Sequence, residues 1–256
     1  MASQRNRGQV TQPMPSRHTR GRGTQRDEDK RSVGKSILVA IREIIMVFVV
    51  AILISALIKT FLIQSFEIPS ESMRDTLEVG DRILVSKLVP NVRPLNHGDI
   101  VVFRDSQDWL PPAERATGPK NDAQRFLTAV GLRPDDSSSY LIKRAIGLPG
   151  DQVACCDAKG RVTVNGKAIN EPYLRPGVRP SDVEFSVTVP ADHIWVMGDN
   201  RSNSYDSRAH QETPGRGFVP MDDVVGRAFV ILWPVAHWTT LSNTDAFVGV
   251  PQHSDR

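Results

Sequence analysis

The most uniform apolar stretch of the chain runs from Ile44 to Ile63, and within it only Ser55, Lys59 and Thr60 are not apolar. A helix of about 20 residues is about 30 Å long, which is the thickness of the hydrocarbon core of a bilayer. A buried helix of a water-soluble protein usually shows a polar stripe, and the first three quarters of this stretch show none. The pattern therefore predicts one membrane-spanning helix near the N-terminus.

Charge is distributed unevenly around this stretch. Residues 1–35 carry nine Lys and Arg against three acidic residues, so this tail has a charge of +6 and the rest of the chain −3. On the other side of the stretch, the first cation after Lys59 is Arg74. Because Lys and Arg accumulate in the cytoplasmic flanks of membrane helices, we expect the N-terminus in the cytoplasm and a domain of residues 66–242 outside it.

The two ends of the chain are predicted to lack a fixed structure. Residues 1–35 contain almost no large apolar side chains, so they cannot bury enough surface to offset chain entropy. Their charge would also suit a nucleic acid, but membrane orientation explains it and we expect no nucleic-acid partner. Residues 36–65 form the predicted anchor, and residues 243–256 a flexible C-terminal tail.

Short β-branched segments bounded by Gly or Pro dominate the rest of the chain and predict strands. Four of them are clear: Arg82–Ser86, Asp99–Phe103, Leu141–Ile146 and Phe185–Val189. The apolar run Phe229–Trp238 contains Pro234 and is too short to span a bilayer, so it is predicted as a core strand. We therefore expect a mainly β fold, an antiparallel β-sheet domain with long loops that is preceded by one transmembrane α-helix.

Two features interrupt the predicted strands. Asn165 and Gly166 lie between two short strands and suit a type I′ hairpin turn. Residues 104–139 contain adjacent prolines, a Gly-Pro pair and a run of serines, and are predicted as a loop inserted into the domain. The role of this loop and the oligomeric state of the chain stay open at this stage.

The sequence gives little indication of a metal site or of redox chemistry. Cys155 and Cys156 are the only cysteines, and adjacent cysteines can pair only in a strained ring. We therefore expect two thiols, with the redox state left open because an exported domain is disulfide-permissive. The six histidines are scattered and form no HExxH motif, so we expect no metal site and no cofactor.

Two polar segments carry candidate chemistry, although each alone has a plain structural explanation. Ser70 and Ser72 lie two residues apart, directly after the anchor, which would also suit an exposed turn or a helix N-cap. The second segment combines acids and arginines with turn-forming residues, which indicates either an ion-paired scaffold or a solvated loop. Its charged residues are Asp199, Arg201, Asp206 and Arg208.

The predicted strand Leu141–Ile146 contains two adjacent cations, Lys143 and Arg144. Side chains alternate along a strand, so these two point to opposite faces and one face must bury its cation. Burial lowers the pKa of a lysine and can leave it neutral, as a general base requires, whereas arginine stays charged. Lys143 is therefore the candidate base and Arg144 the candidate partner of an acid, unless Lys143 only extends from a strand edge into solvent.

Together these segments resemble bacterial type I signal peptidases (leader peptidases), the membrane-bound serine-lysine peptidases that remove signal peptides from exported proteins. The resemblance runs in family order from the anchor to about Leu241, through the blocks PSESM, GDRILVSK, YLIKRAIGLPGD, GDNRSNSYDSR and GFVP. It implies that Ser72 is the nucleophile and Lys143 the general base. It also implies that Ser70 and the backbone N–H of Ser72 form the oxyanion hole, and that Ser204 orients the lysine.

The resemblance further implies how the catalytic groups are supported and how the substrate is held. Supporting ion pairs and hydrogen bonds of the family match Asp199, Arg201, Asp206 and Arg208. Small apolar pockets for Ala-x-Ala substrate ends would involve Phe66, Ile68, Pro69, Met73 and Ile142. Three positions depart from the family pattern and bear on the details of these pockets: Glu71 replaces a frequent glycine, Asp75 a frequent proline, and Leu141 a usual tyrosine.

The expected function is that of a membrane-bound endopeptidase that cleaves signal peptides through an acyl-enzyme. Its partners would be signal peptides of exported preproteins, the lipid bilayer and, as a further candidate, the secretion translocon. Penicillin-binding serine enzymes place Ser and Lys at S-x-x-K spacing, which is lacking after Ser72, where Asp75 stands. The non-enzymatic alternative is a membrane-tethered β-module that binds an envelope partner, and it would tolerate Ala at Ser72 and at Lys143.

Overall fold

The computed structural model describes residues 23–111, 121–123, 139–241 and 245–251, which contain one long helix and twelve strands. Helix α1 spans Gly23–Phe61, and the strands are β1 Ile63–Glu67, β2 Arg82–Ser86, β3 Ile100–Arg104, β4 Tyr140–Gly147, β5 Gln152–Cys155, β6 Val162–Val164, β7 Lys167–Ala168, β8 Phe185–Thr188, β9 His193–Met197, β10 Val219–Pro220, β11 Val224–Trp233 and β12 Thr239–Thr240. The chain divides into two compact units, residues 1–51 and residues 52–256, and all strands lie in the second.

Helix α1 contains the predicted membrane span. The 22 residues of Leu38–Lys59 are long and apolar enough to cross a bilayer, and their large apolar side chains are exposed, as contact with lipid requires. The span ends before Ile63, the end of the predicted stretch, because α1 ends at Phe61 and Ile63 is already the first residue of β1. The N-terminal prediction of disorder is wrong for residues 23–35, which are helical, and residues 1–22 lie outside the described residues. Arg, Lys, Glu and Gln favour helix and extend one that an apolar segment has already nucleated.

Two antiparallel sheets form the framework of the described part of the second unit. The larger has the strand order β1-β2-β11-β3-β4-β9-β10, with β12 paired to β11, and the smaller has the order β7-β6-β5-β8. The pairs of both sheets are antiparallel. The predicted fold class, a mainly antiparallel β domain with long loops after one apolar helix, is therefore confirmed. Strand β4 lies inside the larger sheet, between β3 and β9.

The four clear strand predictions are confirmed, with ends that differ by one residue at most. The apolar run Phe229–Trp238 is strand only in part, since β11 begins earlier and ends at Trp233, before Pro234. The hairpin turn between β6 and β7 is also confirmed. Asn165 and Gly166 have φ angles of 52° and 75°, and a type I′ turn needs positive φ at both positions.

The C-terminal segment packs against the smaller sheet. Phe247 and Val250 belong to the same apolar cluster as buried side chains of β5, β6 and β9, and the Phe247 ring stacks on His97 with 5.8 Å between ring centroids. Lys167 Nζ donates a hydrogen bond of 2.7 Å to the carbonyl oxygen of Val248. The prediction of a flexible tail is therefore wrong for residues 245–251, because burial of apolar surface fixes them.

Two further predictions are corrected or narrowed by the structure. Cys155 and Cys156 are joined by a disulfide bond, with a cis peptide bond between them, so the expectation of two thiols is wrong. The inserted loop begins after Arg104, the last residue of β3, and its first turn is fixed because the Asp105 carboxylate accepts hydrogen bonds from two backbone N–H groups. Residues 112–120 and 124–138 of this loop lie outside the described residues.

Replacing Phe247 by alanine should lower the free energy of unfolding by about 3 kcal/mol, because the lost ring leaves a cavity beside the smaller sheet. Val248→Ala is the matched control, since Val248 is 68% exposed, and its effect should stay within about 0.5 kcal/mol. Chemical denaturation of the full chain in detergent measures both values. A Phe247→Ala variant as stable as the control would contradict the packing of this segment into the core.

Candidate active site

Strand β4 buries both of its cations. Lys143 and Arg144 expose only 2% and 1% of their surfaces, so the sequence required one buried cation and the structure contains two. The reason is the central position of β4, whose two faces are covered by different apolar clusters that include Ile142 and Ala145. Lys143 is therefore not an edge residue that extends into solvent.

Lys143 lies in contact with Ser72. Its Nζ donates a hydrogen bond of 2.7 Å to Ser72 Oγ and another of 3.0 Å to the carbonyl oxygen of Ile142. Ser72 stands in a short 3₁₀ turn, Glu71–Met73, and exposes 7% of its surface. Ser70 precedes this turn in extended conformation and makes no capping hydrogen bond, and its Oγ lies 3.4 Å from Ser72 Oγ. The two serines that the sequence singled out are thus brought together with the lysine.

Burial lowers the pKa of Lys143 to about 8, because the charged ammonium loses its hydration. The negative charges of Asp206 and Asp199 oppose this shift by favouring the ammonium form. Near pH 8 about half of the Lys143 side chains are then neutral. A neutral amine in hydrogen-bond contact with a hydroxyl can accept its proton.

Ser72 is held against the loop that follows β9. Its carbonyl oxygen accepts a hydrogen bond of 3.1 Å from the backbone N–H of Asn200, whose side chain donates to the carbonyl oxygen of Glu71 at 3.0 Å. A Cβ atom at Gly198 would lie 2.5 Å from the Ser72 carbonyl oxygen and would overlap the Ser204 side chain. Only glycine therefore fits this contact, and the loop backbone sets the position of Ser72.

Asp199 links strand β4 to the segment that carries Ser72. Its carboxylate accepts a hydrogen bond of 2.8 Å from Arg144 Nε and a second one from Nη2. Thr76 Oγ1 donates to the same carboxylate at 2.6 Å. The predicted pairing of Arg144 with an acid is thus confirmed, and the pair ties the strand of Lys143 to the turn that follows Ser72.

Arg201 pairs with a residue that sequence reasoning missed, Glu171. Both Nη atoms contact the Glu171 carboxylate, Nη1 at 3.0 Å, and Nε donates to the carbonyl oxygen of Gly198 at 3.1 Å. Tyr173 lies nearby, with its ring centroid 3.9 Å from the guanidinium carbon of Arg144. Both missed residues lie in a proline-rich segment that is typical of a surface loop. The sequence offers one signal for a missing acid. The candidate ion pairs include three arginines, Arg144, Arg201 and Arg208, but only two acids, Asp199 and Asp206.

Asp206 is a second buried acid whose charge reaches Lys143. Burial would raise the pKa of this carboxyl, but hydrogen bonds from Arg208 and from the backbone N–H of Gly198 hold the pKa below its ordinary value. Arg208 Nε and the Gly198 N–H each donate at 2.9 Å. The buried Ser204 hydroxyl also interacts with the Asp206 carboxylate and lowers its pKa, whereas the hydrogen bonds of Lys143 Nζ go to Ser72 and Ile142.

Four of the five predicted pocket residues share one apolar cluster. Ile68, Met73 and Ile142 are buried in one apolar cluster, and Phe66 packs against it. In the chain, Met73 directly follows Ser72 and Ile142 directly precedes Lys143. Pro69 is exposed.

The arrangement has the parts of a nucleophilic catalyst. Ser72 supplies a hydroxyl, Lys143 a base whose pKa is lowered towards neutrality, and Ser70 a second hydroxyl that can donate to an oxygen on which negative charge develops. Within the described ranges, no group of three or more His, Cys, Asp or Glu side chains is placed to hold a metal ion. The geometry therefore favours acyl transfer through a serine ester.

The chain is similar to known proteins over most of its length. Residues 41–233 match the family model of signal peptidase, peptidase S26. The chain is 35% identical over 239 residues to the probable signal peptidase I of Mycobacterium leprae, which covers 82% of each chain. It is 38% identical over 221 residues to signal peptidase I of Mycobacterium tuberculosis, with 77% of this chain and 74% of that one covered. Signal peptidase I of Pseudomonas aeruginosa is 32% identical over 228 residues, with the same two coverages. This chain therefore belongs to the signal peptidase family, peptidase S26, and is a serine peptidase.

Proposed function

We propose that the chain is a membrane-bound endopeptidase that removes N-terminal signal peptides from exported preproteins, with Ser72 as the nucleophile and Lys143 as the general base. The observation that carries the proposal is the hydrogen bond of 2.7 Å between Lys143 Nζ and Ser72 Oγ. The lowered pKa of Lys143 supports the role of base. The relatives named signal peptidase I support the class of substrate.

The first half of the reaction acylates Ser72. Neutral Lys143 takes the proton of Ser72, and the alkoxide attacks the carbonyl carbon of the scissile peptide bond. Ser70 Oγ and the backbone N–H of Ser72 donate to the oxyanion that forms. The intermediate collapses as the Lys143 ammonium gives its proton to the leaving amine. The mature protein departs with a free amino group, and the signal peptide stays as an ester on Ser72.

The second half of the reaction hydrolyses this ester. Lys143, neutral again, takes a proton from a water molecule that attacks the ester carbon, and returns the proton to Ser72 Oγ as the intermediate collapses. The signal peptide leaves with a new carboxyl group, and both catalytic residues regain their starting states. Each proton transfer thus uses Lys143, and neither step requires a histidine.

The surrounding charges keep this pair in place. Asp199, Arg201, Asp206 and Arg208 are the supporting residues of the proposal. The Asp199–Arg144 pair fixes β4 against the turn after Ser72, and Arg208 takes up the charge of Asp206. Ser204, whose buried hydroxyl lies against Gly198, would orient Lys143 after a rotation of this hydroxyl.

The apolar cluster beside the pair is the proposed binding site for the small side chains before the cleavage site. Its proposed members are Phe66, Ile68, Pro69, Met73 and Ile142. The members are mainly apolar, which suits the small apolar side chains of a substrate end of the Ala-x-Ala type. A membrane-tethered β-module without activity would need none of this arrangement, and the family match to serine peptidases disfavours it.

We propose that α1 spans the membrane with the N-terminus in the cytoplasm, so that the catalytic domain lies outside, close to the secretion translocon. The basic residues before Leu38 support this orientation. The chain from Lys59 to Ser72 can reach at most about 45 Å when fully extended. The catalytic serine would therefore work near the outer membrane surface, where a signal peptide still in the bilayer presents its cleavage site.

Ser72→Ala and Lys143→Ala should each lower the rate of preprotein cleavage by at least about 1,000-fold, because the two residues act as one unit. The assay uses the purified full chain in detergent and a preprotein with a small-x-small site. Ser202→Ala and Lys159→Ala are matched controls, since both residues are exposed, and they should cleave at the wild-type rate. Full activity in either Ser72→Ala or Lys143→Ala would sink the assignment of the pair.

External protease should remove a C-terminal tag from right-side-out membrane vesicles and leave an N-terminal tag intact, because the basic flank holds the N-terminus in the cytoplasm. Inside-out vesicles should give the reverse pattern. Immunoblotting of the two tags measures both. An N-terminal tag that is digested in right-side-out vesicles would contradict the proposed orientation.

A further inference from the structure

The turn between β11 and β12 is tied to the catalytic domain through His237. Its Nδ1 lies 2.7 Å from Asp81 Oδ1. The side chain of Asp81 is 2% exposed, whereas that of His237 is 45% exposed. His237 lies beyond residues 41–233, the part that matches the family model, so the match assigns it no role.

Asp81 closes the turn that lies against the end of β1. Its second carboxylate oxygen accepts a hydrogen bond of 2.9 Å from the backbone N–H of Glu78. Its carbonyl oxygen accepts from the N–H of Ile68, and the N–H of Gly80 donates to the carbonyl oxygen of Ile68, both at 2.9 Å. Both backbone polar groups of Ile68 are therefore held by the turn that Asp81 closes.

Ile68 is the point at which this turn reaches the catalytic segment. It is 2% exposed and packs in one apolar cluster with Met73 and Ile142, the neighbours of Ser72 and Lys143 in the chain. Only Pro69 stands between Ile68 and Ser70. A shift of the turn would therefore move Ile68, a member of the proposed substrate pocket, before it moved Ser72 or Lys143.

A buried carboxylate needs a partner for each oxygen, and His237 is the described side chain that serves Asp81 Oδ1. Without it, water would enter from the exposed side of the turn and Asp81 would be free to move outward. Lys143 makes its contacts to Ser72 and Ile142, none of which involves Asp81. Loss of His237 should therefore change how substrate is held more than how the hydroxyl of Ser72 is activated.

We propose that His237 is a positioning residue for signal-peptide binding, which acts by holding Asp81 and, through Asp81, the backbone of Ile68. This role rests on the proposed function of the chain. It places a determinant of substrate binding in the turn between β11 and β12, outside the sequence blocks that carry the family resemblance and without contact to Ser72 or Lys143.

Steady-state kinetics of His237→Ala on a peptide that spans a small-x-small site tests the role. The KM should rise about tenfold while kcat stays within about twofold, as for loss of an interaction that binds ground and transition states alike. His237→Asn is the second variant, because the amide nitrogen of Asn occupies nearly the place of Nδ1, and it should restore most of the wild-type KM. His193→Ala is the matched control: its Nδ1 lies 2.7 Å from the carbonyl oxygen of its near neighbour Ala191, and its kinetics should equal those of the wild type.

The outcomes separate this role from the proposed function. An unchanged KM in His237→Ala, or an equal fall of kcat in the Ala and Asn variants, would overturn the positioning role and show that His237 is structural. A wild-type chain that cleaves no preprotein would overturn the proposed function, and this role with it. Thermal unfolding of each variant in the same detergent shows that the comparison is made between folded proteins.

Discussion

Burial of Lys143 is the constraint on which the proposed chemistry depends. An ammonium group that leaves water loses a large hydration free energy, and this loss lowers the pKa of Lys143 to about 8. The two acids whose charges oppose the shift, Asp199 and Asp206, are bound to Arg144 and Arg208. The positive charges of these arginines oppose the attraction of the two acids for the ammonium form of Lys143.

The environment of Lys143 is built from separate parts of the chain that the fold brings together. A central strand, covered on both faces, carries Lys143, while the loop after β9 supplies the acids and fixes the carbonyl group of Ser72 through Asn200. The close approach at Gly198 lets the loop and the 3₁₀ turn touch. The hydroxyl and the amine are thus held in contact by backbone contacts between separate segments of the chain, which is the preorganisation that a weak nucleophile needs.

The features that could be predicted from the sequence are those that depend on a local pattern of residues. Apolar runs, β-branched segments and an Asn-Gly pair were enough for the helix, the strands and the type I′ turn, and adjacent cations on a predicted strand pointed to Lys143. Contacts between segments that are far apart in the chain could not be predicted from the sequence. Glu171 and Tyr173 reach Arg201 and Arg144 only because a proline-rich loop folds over them. The tail that holds Phe247 was likewise misjudged, because its one large ring is buried by residues far away in the chain.

The pH dependence of kcat/KM for cleavage of a small-x-small peptide by the wild-type chain tests the central claim most directly. The active form carries a neutral Lys143, so kcat/KM should rise about tenfold per pH unit below about pH 7 and level off above an apparent pKa of about 8. A value of kcat/KM that stays constant from about pH 6 to about pH 9, or that falls over this range, would contradict a lysine base.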